Sequence, residues 1–120
     1  MRKKSLGNLG ENLALKYLKN KGWEFIERNF RSYFGEIDLI LKDKETLVFV
    51  EVKTRFSKSY GYPEEAVTPR KIRSLIKTVQ YFKLKHPNLP DSLRIDVIAI
   101  DLDPKEEKLL NLRHIKNITL

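Results

Sequence analysis

Apolar residues recur at helical spacing from Leu6 to Lys21. Leu6, Leu9, Leu13, Ala14, Tyr17 and Leu18 fall on one stripe, and Gly22 stands where a helix C-cap belongs. Extended patterns follow. Trp23 to Arg31 reads as a strand with Trp23, Phe25 and Phe30 inward, and Ser32 to Gly35 as a turn. Glu36 to Leu41 and Thr46 to Lys53 then read as a hairpin joined by the polar Lys42 to Glu45. Both hairpin strands are too apolar for a sheet wetted on one side, so they are expected to be central and covered on both faces. Phe56 to Thr68, with Ser57, Ser59, Gly61 and Pro63, reads as a long loop. Thr68 and Pro69 supply an N-cap and a first-turn proline for a helix running to about His86-Pro87, with Ile72, Leu75, Ile76, Val79 and Phe82 inward. Arg94 to Ile100 is another apolar strand and Lys108 to Ile115 a weaker one. This order predicts an α/β fold, a mixed central β-sheet flanked by α-helices, in a single domain over residues 1–120.

The composition narrows the chemistry. With no cysteine, the 120 residues offer no disulfide, thiolate nucleophile or Cys-ligated metal, and His86 and His114 are the only imidazoles. No apolar run approaches a membrane span, and the basic start leads into Gly7, Asn8, Gly10 and Glu11, so no membrane association and a cytoplasmic location are expected. The formal net charge of +8 makes a polyanion the first partner to consider. That charge is unevenly spread: residues 1–31 and 68–120 each carry +5, and residues 32–67 carry −2.

The acidic middle holds the candidate chemistry. A charge inside a central sheet costs several kcal/mol unless it is paired or metal-bound, so Asp38, Glu51 and Lys53 within apolar strands need an explanation. Glu51 and Lys53 are two apart and share a face with Leu47 and Phe49, opposite Val48, Val50 and Val52. A hairpin loop of two or four residues is expected to set Asp38 opposite Phe49, with Glu51 as its diagonal neighbour roughly 7–8 Å away. Two carboxylates so placed suit Mg²⁺ or Mn²⁺, and Lys53 beside them could serve an attacking water or offset phosphate charge. The alternative is an ordinary Glu51–Lys53 ion pair at a strand end, with Asp38 turned to solvent. Glu11 likewise has two readings: a carboxylate aimed at the site, or a favourable acid near the helix N-terminus.

Further candidates lie around this set. Arg70, Lys71, Arg73, Lys77, Lys83 and Lys85 crowd one side of the second helix with no acid among them, which suits phosphate contact or a plain basic surface. Arg55 and Lys58 could grip phosphate, and Tyr60 and Tyr62 could stack on bases or simply pack. Gln80 is a candidate for polarising a water, Glu36 for a turn or surface role, and Asp96 for a cap or a pair with Arg94.

Asp38 followed by Glu51-Val52-Lys53 resembles the PD-(D/E)xK nuclease signature, with Ile37 in place of the proline. More closely, Gly10-Glu11-Asn12-Leu13-Ala14, Tyr17-Leu18, Gly22, Arg28-Asn29, Gly35-Glu36-Ile37-Asp38-Leu39-Ile40, Val48 to Arg55, Lys71 and Arg94 to Ile98 resemble the YraN-like family of small bacterial proteins. The resemblance runs from about residue 7 to 100. It implies a restriction-endonuclease-like fold similar to that of archaeal Holliday junction resolvases, a DNA partner, and a homodimer. It also implies a catalytic core of Glu11, Asp38, Glu51 and Lys53. Asp38 and Glu51 would hold the metal, Glu11 would be an outer ligand, and Lys53 would serve the attacking water. The expected activity is metal-dependent DNA endonuclease action on branched or structured DNA. The competing expectation is a nucleic-acid-binding protein that keeps this fold without turnover.

Overall fold

A computed structural model describes residues 3–57 and 67–118, with side chains from Leu6 onward. The order is α1 (Lys3–Asn20), β1 (Glu24–Ser32), β2 (Gly35–Asp43), β3 (Thr46–Phe56), α2 (Pro69–Lys85), β4 (Ser92–Leu102) and β5 (Leu109–Ile115). The strands form one sheet in the order β1-β2-β3-β4-β5. All neighbours are antiparallel except β3 and β4, which run parallel because α2 carries the chain back across the sheet. The expected mixed sheet with flanking helices is thus the architecture found.

Each helix covers one face of the sheet. Leu39, Leu41, Val48, Val50, Ile98 and Ile100 pack with Ala14 and Leu18 of α1, while Ile37, Ile40, Leu47, Phe49 and Ile95 pack with Leu75, Val79 and Phe82 of α2. The central strands read as nearly continuous apolar runs because both their faces are buried. α2 starts as expected: the Thr68 hydroxyl accepts a hydrogen bond from Lys71 N at 3.2 Å, and Pro69 occupies the first turn, where its missing N–H costs nothing. Among the described residues no helix is long and apolar enough to cross a membrane.

Two expectations need correction. Phe25 does not face inward; it is 38% exposed, with Lys19 Nζ 5.4 Å from its ring centroid. It pairs with Leu41 on the edge strand, where the last turn of α1 brings Lys19 over it, whereas Trp23 is buried and Phe30 meets Phe82 edge-on. The β2–β3 loop has two residues, Lys44 and Glu45, the shorter of the two even lengths allowed, with Lys44 in a left-handed conformation (φ 55°). Pairing continues through Lys42 and Asp43, so the register lies two residues from the one expected, with Leu39 opposite Val50 and Leu41 opposite Val48. One step beyond Leu39, Asp38 therefore lies across from Glu51 and not from Phe49. The expected long loop falls mostly on residues 58–66, outside the described residues.

Candidate metal and nucleic-acid site

The ladder between β2 and β3 ends at Leu39 and Val50, and the next position is taken over by a side chain. Asp38 Oδ2 accepts a hydrogen bond from Val52 N at 2.7 Å, so the carboxylate replaces the missing strand partner and is fixed beside Glu51. Glu51 is only 3% exposed. Its Oε2 has no hydrogen-bond partner, the one buried side-chain polar atom so placed among the described residues. Lys71 Nζ lies 3.1 Å from that oxygen as an ion pair, without hydrogen-bond alignment. The pair thus leaves an acceptor open in a low-dielectric setting.

Electrostatics follow from that placement. Burial, then the hydrogen bond and like charge of Glu51, push the Asp38 carboxyl up to about 9 against the lowering contact with Val52 N, with Glu11 adding a smaller rise. Two carboxylates in this position do not both ionise readily without added positive charge. Lys53 sits on the same face of β3 as Glu51 by alternation, half-buried, with no ion-pair or hydrogen-bond partner among the described residues.

Glu11 is brought near by a close crossing of α1 over β3. A Cβ on Gly10 would fall 1.8 Å from Thr54 Oγ1, so only glycine lets the helix approach the strand here. Yet Glu11 is not a third ligand in this structure. Its Oε1 accepts from Arg28 Nε at 3.1 Å, while Arg28 also donates to Asn12 Oδ1 at 2.6 Å and to the Asn8 carbonyl at 3.3 Å. Among the described residues no three His, Cys, Asp or Glu groups gather as a metal cluster. The candidate cation site therefore has two carboxylates, and Arg28 ties the third acid to the helix.

The phosphate-binding candidates divide. Arg70, Arg73 and Lys77 are exposed on α2 and line one surface cavity with Tyr33, Phe34 and Ser74. Lys71 instead reaches the carboxylates; it stands four residues before Leu75, and that spacing places it at the border of the buried stripe. Arg55 is engaged by Asp101, Nε to Oδ1 at 2.8 Å, across the parallel register that pairs the two residues. Lys83 is held by Asp91 and by carbonyls at the end of α2, and Lys85 lies over the Tyr81 ring. Lys58, Tyr60 and Tyr62 lie outside the described residues. Gln80 is exposed, on the part of α2 that faces Leu93 and away from Ser74. Glu36 pairs with Arg31 at 3.6 Å on the surface, in keeping with its expected role.

Asp96 pairs with Arg94 at 2.9 Å as expected, but it is also the hub of a larger network. His114 Nε2 lies 2.7 Å from Asp96 Oδ2, His114 Nδ1 lies 3.1 Å from the Tyr17 hydroxyl, and Asn117 N donates to Asp96 Oδ1 at 3.0 Å. The sequence carries no signal for this set, because Tyr17 and His114 are 97 residues apart.

Comparison with known proteins gives a family. Residues 10–100 match the uncharacterised protein family UPF0102. The chain is 45% identical over 111 residues to a UPF0102 protein of Persephonella marina, covering 92% of this chain and 90% of the relative. It is 44% identical over 117 residues to one of Caldicellulosiruptor saccharolyticus, covering 98% of each. A UPF0102 protein of Clostridium botulinum is 46% identical over 101 residues, 83% of this chain and 82% of the relative.

Proposed function

The chain belongs to the uncharacterised protein family UPF0102, and we propose that it is a divalent-metal-dependent DNA endonuclease that hydrolyses phosphodiester bonds in branched or structured DNA. The observation that carries this reading is the Asp38–Glu51 pair across adjacent strands, Asp38 half-buried and Glu51 buried, with Glu51 Oε2 left without a hydrogen bond. Such an oxygen, with a second carboxyl at its side, fits a hard cation bound through two carboxylates, with water and phosphate oxygens filling the remaining positions. The sheet and helix order is compatible with a restriction-endonuclease-like core.

Asp38 and Glu51 would hold Mg²⁺ or Mn²⁺, whose charge when bound would polarise a phosphodiester and acidify a water. Asp38 is fixed in place by Val52 N. Glu51 stays buried, and among the described residues its Oε2 faces only the Lys71 ammonium, which a bound cation would displace. Lys53, projecting from the same face, orients the attacking water or balances charge growing on the phosphate. Arg28 restrains Glu11, whose charge then acts on Asp38 from outside the ligand pair. A homodimer would set two such sites on paired strands.

Labelled four-way junctions, flaps, duplex and single strands incubated with Mg²⁺ or Mn²⁺ test the reading. The parent cuts a branched substrate, and Glu51→Gln and Lys53→Ala each slow cutting by about 100-fold or more, the usual loss for one group acting on transition-state charge. Variants that cut as fast as the parent overturn the assignment. A second reading rests on the Lys71–Glu51 contact at 3.1 Å, which already supplies a cation to the pair. In that case the protein binds nucleic acid in a salt-sensitive way without turnover, and calorimetry finds no Mn²⁺ binding that depends on Asp38.

A further inference from the structure

The turn between β1 and β2 holds two aromatic side chains out of the core. Tyr33 is 98% exposed and Phe34 is 43% exposed, the rings meeting edge-on at 5.7 Å. Their backbone is nevertheless pinned to α2. The Ser74 hydroxyl donates to the Phe34 carbonyl and the Ser32 hydroxyl to Thr78 Oγ1 at 3.5 Å, while within the turn Phe34 N donates to Ser32 Oγ at 3.1 Å. A Cβ on Gly35 would lie 2.6 Å from Ser74 Oγ, so the turn sits directly against the helix. Tyr33 is thus offered to solvent from a fixed base, which spares a ligand the cost of ordering it.

Next to it runs a row of cations. Arg70, Arg73 and Lys77 recur three and four residues apart on one side of α2, exposed and without an acidic partner among the described residues. With Tyr33, Phe34 and Ser74 they line a cavity of about 370 Å³, within the size range of small-ligand sites, and none of the lining residues is acidic. The nearby Glu36 is occupied by Arg31. On β2, Gly35 and Asp38 are three residues apart, about 10 Å along the strand. A chain held at the turn is therefore close to the carboxylate pair.

We propose that the Tyr33–Phe34 turn and the Arg70, Arg73 and Lys77 row form a subsite for an unpaired nucleotide of a DNA single strand, with Tyr33 stacking on the base and the cations taking the flanking phosphates. The proposal rests on the nucleic-acid reading above and deepens it by naming single-stranded character as the feature recognised. Every base has a face to stack on, so the subsite selects for absence of pairing rather than for sequence. A base inside a duplex has no face to offer Tyr33.

Fluorescence anisotropy in EDTA, with labelled oligo-dT and a blunt duplex of equal length, tests this apart from cleavage. Tyr33→Ala weakens oligo-dT binding by about 5- to 100-fold, the range expected of one stacked base, while Tyr33→Phe binds as the parent does. Duplex binding is unchanged in both variants. Arg73→Ala lowers the slope of log affinity against log salt for oligo-dT by about 0.7, one phosphate contact on a single strand. Melting curves matching the parent's establish that the variants are folded. Parent-like oligo-dT binding by Tyr33→Ala, equal losses on both substrates, or no oligo-dT binding by the parent overturns the proposal. Tyr33-dependent binding without cleavage of any substrate defeats the nuclease reading and leaves the subsite standing. Glu51-dependent cleavage with Tyr33-independent binding defeats the subsite alone.

Discussion

Burial pushes any carboxyl towards its neutral form, and what faces it decides whether the push succeeds. Asp96 is fully buried, yet hydrogen bonds with His114, Arg94 and Asn117 N outweigh burial and hold its carboxyl below the usual 3.8. Asp38 meets Glu51 and Glu11 instead, and its carboxyl rises to about 9. The two residues therefore act on stability with opposite signs. Between 3.8 and about 9 the unfolded chain has released the Asp38 proton while the fold retains it, so this group erodes metal-free stability as pH rises through that window. Asp96 contributes stability above 3.8 and loses it as pH falls through its lowered folded value. Denaturant melts in EDTA separate them. Asp38→Asn is more stable than the parent by a margin that grows from pH 5 to pH 8, whereas Asp96→Asn costs about 3–5 kcal/mol at neutral pH, with a deficit that shrinks in acid. A margin for Asp38→Asn that does not vary with pH would count against its being protonated in the fold.

At the scale of elements, two close approaches set the geometry. α1 meets β3 at Gly10 and Thr54, and any added side chain drives the helix off the strand. Gly10→Val should destabilise the fold by about 1–3 kcal/mol, the usual effect of overpacking, and weaken the Glu11–Arg28 tie because Glu11 moves with the helix. Chemical denaturation with the double variant Gly10→Val, Thr54→Ala checks the cause: relief of the contact restores part of the loss. The helices, all five strands and the placing of Asp38 and Glu51 on neighbouring apolar strands are legible in the sequence, since period and turn chemistry are local signals. The hairpin register is not. Lys42 to Glu45 is polar throughout and lacks the Asn-Gly or Asp-Gly that marks the centre of a two-residue turn, so the two extra ladder positions at Lys42 and Asp43 leave no trace. The Arg28 grip on Glu11 and the Tyr17–His114–Asp96 network are long-range contacts, and nothing in their own segments requires them.

Across the whole molecule, α2 links the acidic centre to the basic surface. As the crossover between two parallel strands it must lie over the sheet, and its two sides then do different work. Lys71 points to Glu51, while Arg70, Arg73 and Lys77 face outward beside the β1–β2 turn. The formal +8 is therefore divided between holding a buried acid and meeting solvent. The inward lysine and a bound cation compete for the same oxygen, and this competition separates the two functional readings. If the pair is a cation site, Mn²⁺ at about a hundredfold its dissociation constant raises stability by about 2.7 kcal/mol. Asp38→Asn abolishes that gain. Lys71→Ala lowers metal-free stability, since it leaves Glu51 buried without its counter-ion, and binds Mn²⁺ more tightly than the parent because nothing has to be displaced. If Lys71 is instead the permanent partner of Glu51, neither the parent nor Lys71→Ala gains stability with Mn²⁺. Thermal melts of the parent and the two variants, with and without Mn²⁺, decide between these outcomes before any DNA substrate has been found.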